Sequence, residues 1–558
     1  TGKSAWTNIE TQGVLDNGMP AADSLHVLLM GIGECLIDDV EVIGPGGTNR
    51  ISNPSFDKGL VGWVPQGSLG QSSLEPNSGV GASPGLHIRA THRGDTGANR
   101  IRTRLMANLS PNSTATLRAK ARWLCGFPEV LLRLRGNYLE APATLALPAN
   151  LGSPGARNSR ATSNAGPAVF AVEHHPLRPT TNQSVTVTAR IQDPDGVGSA
   201  LLKYRLDPGA NLNTVPLLDD GTAGDEIAGD GIFSATIPKQ SGNIVVAFHV
   251  EAADQSNIPA MTRFPNDAPA RECLVRFGEP VSPGGFGTYR LWITQATASK
   301  WGTRPKLSNE PLDATFVYGD ERVIYNVGAL YSGSPFHSPG YTTPTGSLCN
   351  YIMLFPADDA LLGVTVFKLT APGNNPGDDD TAQREETSYW IAAQLGLPFN
   401  YQRNVHLFVN GVRRGRIFED SQIPNSEFLN QWMPEDDEGD LFKIAGWFEF
   451  DEAASGFQTT WATLQPFVTT GGRKKLARYR WNWQKRGSEI STSDYTNLFE
   501  LVDAVNSPAA TYTARVESKI DVDEWMRIFA VEHIVGNWDS YGNNNGQNMF
   551  AYKPAQGP

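Results

Sequence analysis

The chain has 558 residues, which at about 150 per domain predicts three or four domains. It is 40% hydrophobic with 56 glycines and 38 prolines, the profile of a loop-rich, β-heavy protein, and no run approaches the roughly 18 apolar residues of a membrane span. A net charge of −12 argues against a nucleic-acid partner, which needs a basic footprint, and leaves acidic loops free to hold divalent cations.

The first residues read as the middle of a domain, with no signal peptide visible. Residues 24–30 alternate loosely, and Cys35 to Ile43 read as a half-buried strand ended by Gly44-Pro45-Gly46-Gly47. Next comes Asn53-Pro54-Ser55-Phe56-Asp57-Lys58-Gly59-Leu60-Val61-Gly62-Trp63. The Ile37-Asp38-Asp39-Val40-Glu41-Val42 strand resembles the last strand of a galactose-binding-like, carbohydrate-binding jelly roll, and the 53–63 stretch resembles the first strand and turn of another. The resemblance implies a jelly-roll remnant over 1–43 and a second jelly roll over 44–147. Trp63 and Trp123 would stack on a sugar if this module binds glycan, and fill its core if it does not. Arg93-Gly94-Asp95 reads as a polar turn. Cys35, Cys125, Cys273 and Cys349 show no CxxC spacing, so free thiols are expected, with a Cys35–Cys125 bridge as the alternative.

Residues 148–166 are small, polar and aperiodic and read as a linker. From 167 to 280 short alternating strands (184–191 and 244–250) with turn signals between them predict an Ig-like or fibronectin-like sandwich. Between its strands Asp219, Asp220, Asp225 and Asp230 interleave with glycines, a pattern that wraps a structural calcium or simply turns an acidic hairpin.

After a flexible joint at 282–287 the pattern becomes α+β. Strands are predicted at 288–294, 313–318, 322–331, 351–355 and 364–369. A helix follows, with Thr381 as N-cap and Arg384, Glu385 and Glu386 in its first turns; Gly396 and Pro398 stop it. The Asn410-Gly411 turn marks a hairpin over 404–420. Further helices are predicted at 475–484, 495–505 and 522–535, the last with Asp521 and Glu524 in a capping-box arrangement. The basic 473–486 stretch reads as a helix with a core-facing aromatic side and a solvated basic face.

An ordered set of residues then carries a second resemblance. It comprises Lys368 on its strand, Arg384-Glu385-Glu386 through Leu397-Pro398, the hairpin to Glu419-Asp420-Ser421-Gln422, Asp440-Leu441-Phe442-Lys443, and Gly536-Asn537-Trp538-Asp539 through Tyr552-Lys553. From about 287 onward the chain resembles the spore-coat CotH kinase family. That implies an atypical kinase-like α+β domain over 287–558, using ATP with Mg or Mn on a protein or surface-polymer substrate, in a secreted or cell-surface bacterial protein.

In a kinase-like enzyme an acid orients the acceptor hydroxyl and an amide nearby binds metal. Asp539, five residues before Asn544, fits that pair, with Asn548 as the second amide. The resemblance implies that Lys368 contacts phosphates, that Glu385 or Glu386 holds that lysine, and that Glu419 lies near the nucleotide base. The family's Arg-bearing phosphate loop corresponds here to Ser332 to Ser338, which has no arginine, and a later metal-binding acid falls beyond Pro558. The expectation is therefore a kinase-like domain truncated at its C-terminal end and inactive as it stands. The alternative is a non-catalytic adhesion or glycan-binding protein with a kinase-like scaffold. Oligomeric state is not set by the sequence.

Overall fold

In the computed structural model of the chain, the described residues are 4–557 except 18, 150, 151, 153, 154, 156, 158–160, 223, 306, 333–343, 347, 373–378, 380, 450–457, 488–490 and 544. They form two β-sandwiches, a closed barrel and a C-terminal sheet-and-helix region. No helix among them is long and apolar enough to cross a membrane.

Ten strands, from Thr7–Val14 (β1) to Glu140–Thr144 (β10), make the first sandwich. Ala22–Leu29 (β2) lies between Glu129–Leu134 (β9) and Ile101–Leu109 (β7) in one sheet; in the other, Gly33–Ile43 (β3) lies between Thr114–Gly126 (β8) and Gly85–Ala90 (β6). The break expected after Ile43 therefore falls inside one module. Its core is continuous from Ile9 to Leu145, because the apolar faces of β1–β3 are covered by the strands that follow them. Trp63 belongs to that core. Its Nε1 donates to Asn53 O at 2.9 Å and its ring meets Phe56, so it is no sugar platform. Trp123 packs against the same core. Cys35 and Cys125 do not form a disulfide.

The second sandwich, from Ala168–His175 (β11) to Cys273–Arg276 (β18), pairs a three-stranded sheet with a five-stranded one. Its core includes Trp292, Val317 and Tyr325 from the barrel, so the two bodies share apolar packing and the 282–287 stretch is not a free joint. Eight residues of the 148–166 linker lie outside the described residues, and the rest carry no helix or strand.

The barrel is built from Gly287–Trp292 (β19), Leu312–Tyr318 (β20), Arg322–Ser332 (β21), Asn350–Leu354 (β22), Val366–Thr370 (β23), Gln402–Val409 (β24) and Val412–Gln422 (β25). It runs β19-β20-β21-β22-β23-β25-β24 and closes through the parallel pair β19–β24. At the hairpin turn Asn410 and Gly411 have φ of +46° and +75°, the left-handed pair that a two-residue hairpin needs. Gln295–Thr303 (α1) follows β19, and Arg384–Gln394 (α2) lies between β23 and β24. Thr381 does not cap α2. Asp379 does, accepting from Gln383 N at 2.7 Å and Arg384 N at 2.6 Å, and Thr381 donates its hydroxyl to the same carboxylate.

Beyond the short helix Ser426–Trp432 (α3), Asp440–Ile444 (β26) is central in the C-terminal sheet, after which Trp447–Glu449 (β27) and Gln458–Thr460 (β28) form a hairpin. Trp483–Gly487 (β29) and Met549–Lys553 (β30) flank β26. Thr496–Val505 (α4), Ala509–Glu517 (α5) and Val522–Ile534 (α6) complete the region. The helix expected at 475–484 is a single 3-10 turn, Leu476–Arg478, leading into β29. Lys475 pairs with Asp16, Arg480 with Glu140 and Lys485 with Asp440. Those acids approach from different sides, and no single solvated helix face could meet them all.

The first sandwich docks on this region. Leu28, Met30, Leu131 and Tyr138 pack with Trp447, Ala477 and Trp481. Buried Arg133 pairs with Glu449, and Glu140 accepts from Arg480 Nε and Trp481 Nε1, each at 2.8 Å.

Candidate functional site

The barrel places two of the expected residues on one face. Thr370 pairs with Glu419, and Lys368 with Ser421, two positions along. Strand alternation sends Phe367, Leu369 and Phe418 into the barrel core, which puts Lys368 and Glu419 on the opposite face. Helix α2 lies over that face. The Glu385 carboxyl hydrogen-bonds Glu419, and Glu386 accepts from Asn404 Nδ2 at 3.1 Å.

The charges here oppose one another. Glu419 is 4% exposed, and loss of water, followed by the nearby Glu385 and Glu386 carboxylates, pushes it up to about 8. Glu419 therefore keeps its proton at neutral pH. Burial also lowers the Lys368 ammonium, partly offset by Glu385 and Glu419.

The C-terminal sheet adds a group to which sequence reasoning gave no role. Lys443, on β26 between buried Phe442 and Ile444, is pushed down to about 7 by burial, then by Arg486 and Lys368. The available signal was a lysine within an alternating apolar strand, on the face opposite the core.

Asp539 follows α6. Gly536, at φ +71°, ends the helix: its N–H reaches His533 O, and Asn537 N–H reaches Glu532 O at 2.9 Å, a Schellman cap. The half-buried Asp539 carboxylate accepts from Asn545 Nδ2, Gln547 Nε2 and, at 2.9 Å, Asn548 Nδ2. The loop is anchored by Tyr541, whose ring packs against Trp483 and Trp525. Asn544 lies outside the described residues, as does most of the 332–338 stretch. Asn548 spends its amide nitrogen on Asp539, which leaves its Oδ1 to serve a metal.

Two links join Asp539 to the barrel face. α6 packs on α2 through Val531, Ala392 and Leu397, and Arg527 Nη1 donates to Leu395 O at 2.9 Å. Strand β30, immediately after Asn548, sets Phe550 opposite Lys443. No hydrogen bond among the described residues connects Asp539 directly to Lys368, Glu385 or Glu419.

The acidic loop lies elsewhere, in the second sandwich. Carboxylate oxygens of Asp219, Asp225 and Asp230 come within 4.8 Å of one another; Asp220 stands outside that group and accepts from Thr222. Asp219 already accepts from the N–H groups of Gly229, Asp230 and Gly231, and Asp225 from those of Gly221 and Ile227, so the turn folds on its own bonds. Arg93-Gly94-Asp95 is engaged as well: Arg93 Nη1 donates to Lys485 O at 2.7 Å, and Asp95 accepts from Gly97 N, Asn99 and Asn309.

Two lysines, a protonated glutamate and a fixed carboxylate with amide oxygens beside it can bind a phosphate-bearing anion, hold a hard divalent ion and take up a hydroxyl proton. Residues 359–558 match the family model described as CotH kinase protein. The match begins between β22 and β23, so the barrel straddles its start, well after residue 287. No curated protein matches the chain.

Proposed function

Taking the CotH-type match over 359–558 as the premise, we propose that this region, completed by the preceding barrel strands, transfers the γ-phosphoryl group of ATP to a hydroxyl on a protein or surface polymer, in a secreted or cell-surface setting. The observation that carries the reading is the junction of Lys368, Glu385, Glu419 and Lys443, where two lysines from different sheets meet a buried glutamate and the acidic start of α2. Lys368 and Lys443 suit the phosphates. Glu385 or Glu386 steadies Lys368, and Glu419 lies toward the nucleotide base. Asn548 Oδ1 and an Asp539 oxygen would hold Mg or Mn, which supplies neutralisation of phosphate charge when bound.

In the step itself the acceptor oxygen forms a bond to the γ-phosphorus, the bond to the β,γ-bridging oxygen breaks, ADP departs, and the acceptor proton passes to Asp539. The test is phosphate incorporation from ATP, read by mass spectrometry, into the chain extended past Pro558 or an added protein extract, in wild type and Asp539→Ala. Incorporation in wild type alone is expected; equal incorporation in both sinks the assignment.

A second reading, a non-catalytic scaffold, draws on one observation: three amides already occupy the Asp539 carboxylate. Nucleotide binding without any turnover would favour it. Glycan binding by the first sandwich is a separate proposal, tested on a glycan array; docking on the C-terminal region already covers part of its surface.

A further inference from the structure

The interior cations of this acidic chain are mostly matched by acids: Arg133 with Glu449, Arg480 with Glu140, Lys485 with Asp440. A second group differs: among the described residues half-buried Lys443 and Arg93 and exposed Arg486 form no ion pair, and they are linked one to the next across β26 and β29. Lys443 on β26 is paired in register with Gln484 on β29. Gln484 Oε1 accepts from Arg486 Nη2 at 2.9 Å. The carbonyl of Lys485, between those two, accepts from Arg93 Nη1 at 2.7 Å. Arg93 belongs to the first sandwich, and its loop is fastened at both sides: Gly94 N–H bonds Leu29 O at 2.9 Å, and Thr96 Oγ1 donates to Phe448 O at 2.8 Å. Arg93 Nη2 is buried without a partner.

Like charges brought together cost free energy that an anion relieves; Asp95, near Arg93 and Arg486, offsets only part of that cost and does not act on Lys443. The geometry points to a polyphosphate subsite at this group: Lys443 and Arg486 grip the phosphates of the nucleotide, and Arg93 of the first sandwich is a positioning residue that holds the β29 backbone so that Arg486 faces them. Burial, then neighbouring cations, lowers Lys443 and Arg486, with Asp95 opposing the change at Arg486; an arriving anion acts in the same direction as Asp95. The subsite deepens the phosphoryl-transfer reading and rests on it for the identity of the anion. It also makes the first sandwich part of the working enzyme.

The experiment is calorimetric titration of the full chain with magnesium–AMPPNP and, separately, with inorganic tripolyphosphate. Lys443→Met and Arg486→Met should each weaken both probes about tenfold, the loss of one charge-assisted contact, and flatten the salt dependence of binding. Arg93→Gln should weaken both, and Arg93→Lys should restore most of the affinity, since a lysine can still donate to the Lys485 carbonyl. Wild-type affinity in Arg486→Met and Lys443→Met overturns the subsite, and an Arg93→Lys no better than Arg93→Gln overturns the positioning role. Tripolyphosphate binding without AMPPNP binding leaves the subsite standing and removes the nucleotide reading. Binding of neither probe to wild type overturns both.

Discussion

The two halves of the candidate site differ in how their charges are satisfied. On the barrel side, Lys368 and Glu419 are buried beside Glu385, and Lys443 joins them from β26; burial raises Glu419 and lowers both lysines. On the α6 side, Asp539 is surrounded by side-chain amides that donate to it. The barrel half is electrostatically unsettled and suited to an incoming anion. The Asp539 half is settled and must exchange an amide for a substrate hydroxyl or a metal. Perturbed protonation marks where a ligand binds, whereas the group that does the chemistry can sit in a fully bonded environment.

The largest expected effect tests the settled half. Asp539→Ala should lower phosphoryl transfer about 10²–10⁴-fold, the usual contribution of a positioned base, while AMPPNP affinity holds. Loss of affinity equal to the loss of rate would erase the contrast between the halves. Next, Arg133→Met leaves Glu449 in the first-sandwich interface with only the Gly136 N–H, while Glu140 keeps Arg480 and Trp481. Breaking a buried pair costs about 3–5 kcal/mol, and urea unfolding with limited proteolysis should show the C-terminal sheet opening before the barrel. Lys368→Met probes the unsettled half and should raise the AMPPNP dissociation constant about tenfold or more, with a smaller effect on the rate at saturation.

Two pH experiments sharpen the comparison further. Glu419 is raised from 4.5 to about 8, so between those values the folded chain holds a proton that the unfolded chain has lost. Stability should fall as pH rises through that window, and Glu419→Gln should abolish the fall. Lys443 is lowered from 10.5 to about 7, which has the opposite sign: stability should rise as pH climbs from about 7, and Lys443→Met should remove that rise. Thermal melts from pH 5 to 10 measure both. The smallest effect concerns the Asp219–Asp225–Asp230 loop. Its own backbone bonds already form the turn, so chelating calcium should shift its melting by no more than about 2 °C, under 1 kcal/mol for a domain of this size.

The two sandwiches show how far the sequence could be followed. In the second, clean alternation over Val185–Gln192 made the strand legible, and the structure has it. In the first, the Gly44-Pro45-Gly46-Gly47 break looked like a domain boundary, yet it is only a turn between strands of one sandwich. Strand order is long-range, and local composition carries no record of it. The 473–486 stretch failed for a related reason: periodic aromatics suggested a helix, but a half-buried ion pair with Asp16 and buried ones with Glu140 and Asp440 hold it as a turn and a strand. Asp379, not Thr381, caps α2, because its side chain reaches two N–H groups four and five residues ahead.

By itself the sequence determined the strand-rich character, the Asn410-Gly411 hairpin, the Asp521-capped helix ended by Gly536, and the residues worth watching: Lys368, Glu385, Glu386, Glu419 and Asp539. These depend on alternation, capping and turn chemistry, which act over a few residues. Only the tertiary structure decided that Glu419 is buried beside Glu385 and keeps its proton, that Lys443 approaches Lys368 from another sheet, and that Arg93 of the first sandwich reaches the β29 backbone. Those relations join residues tens to hundreds of positions apart, and their energies come from desolvation and Coulomb contact that exist only once the chain has folded.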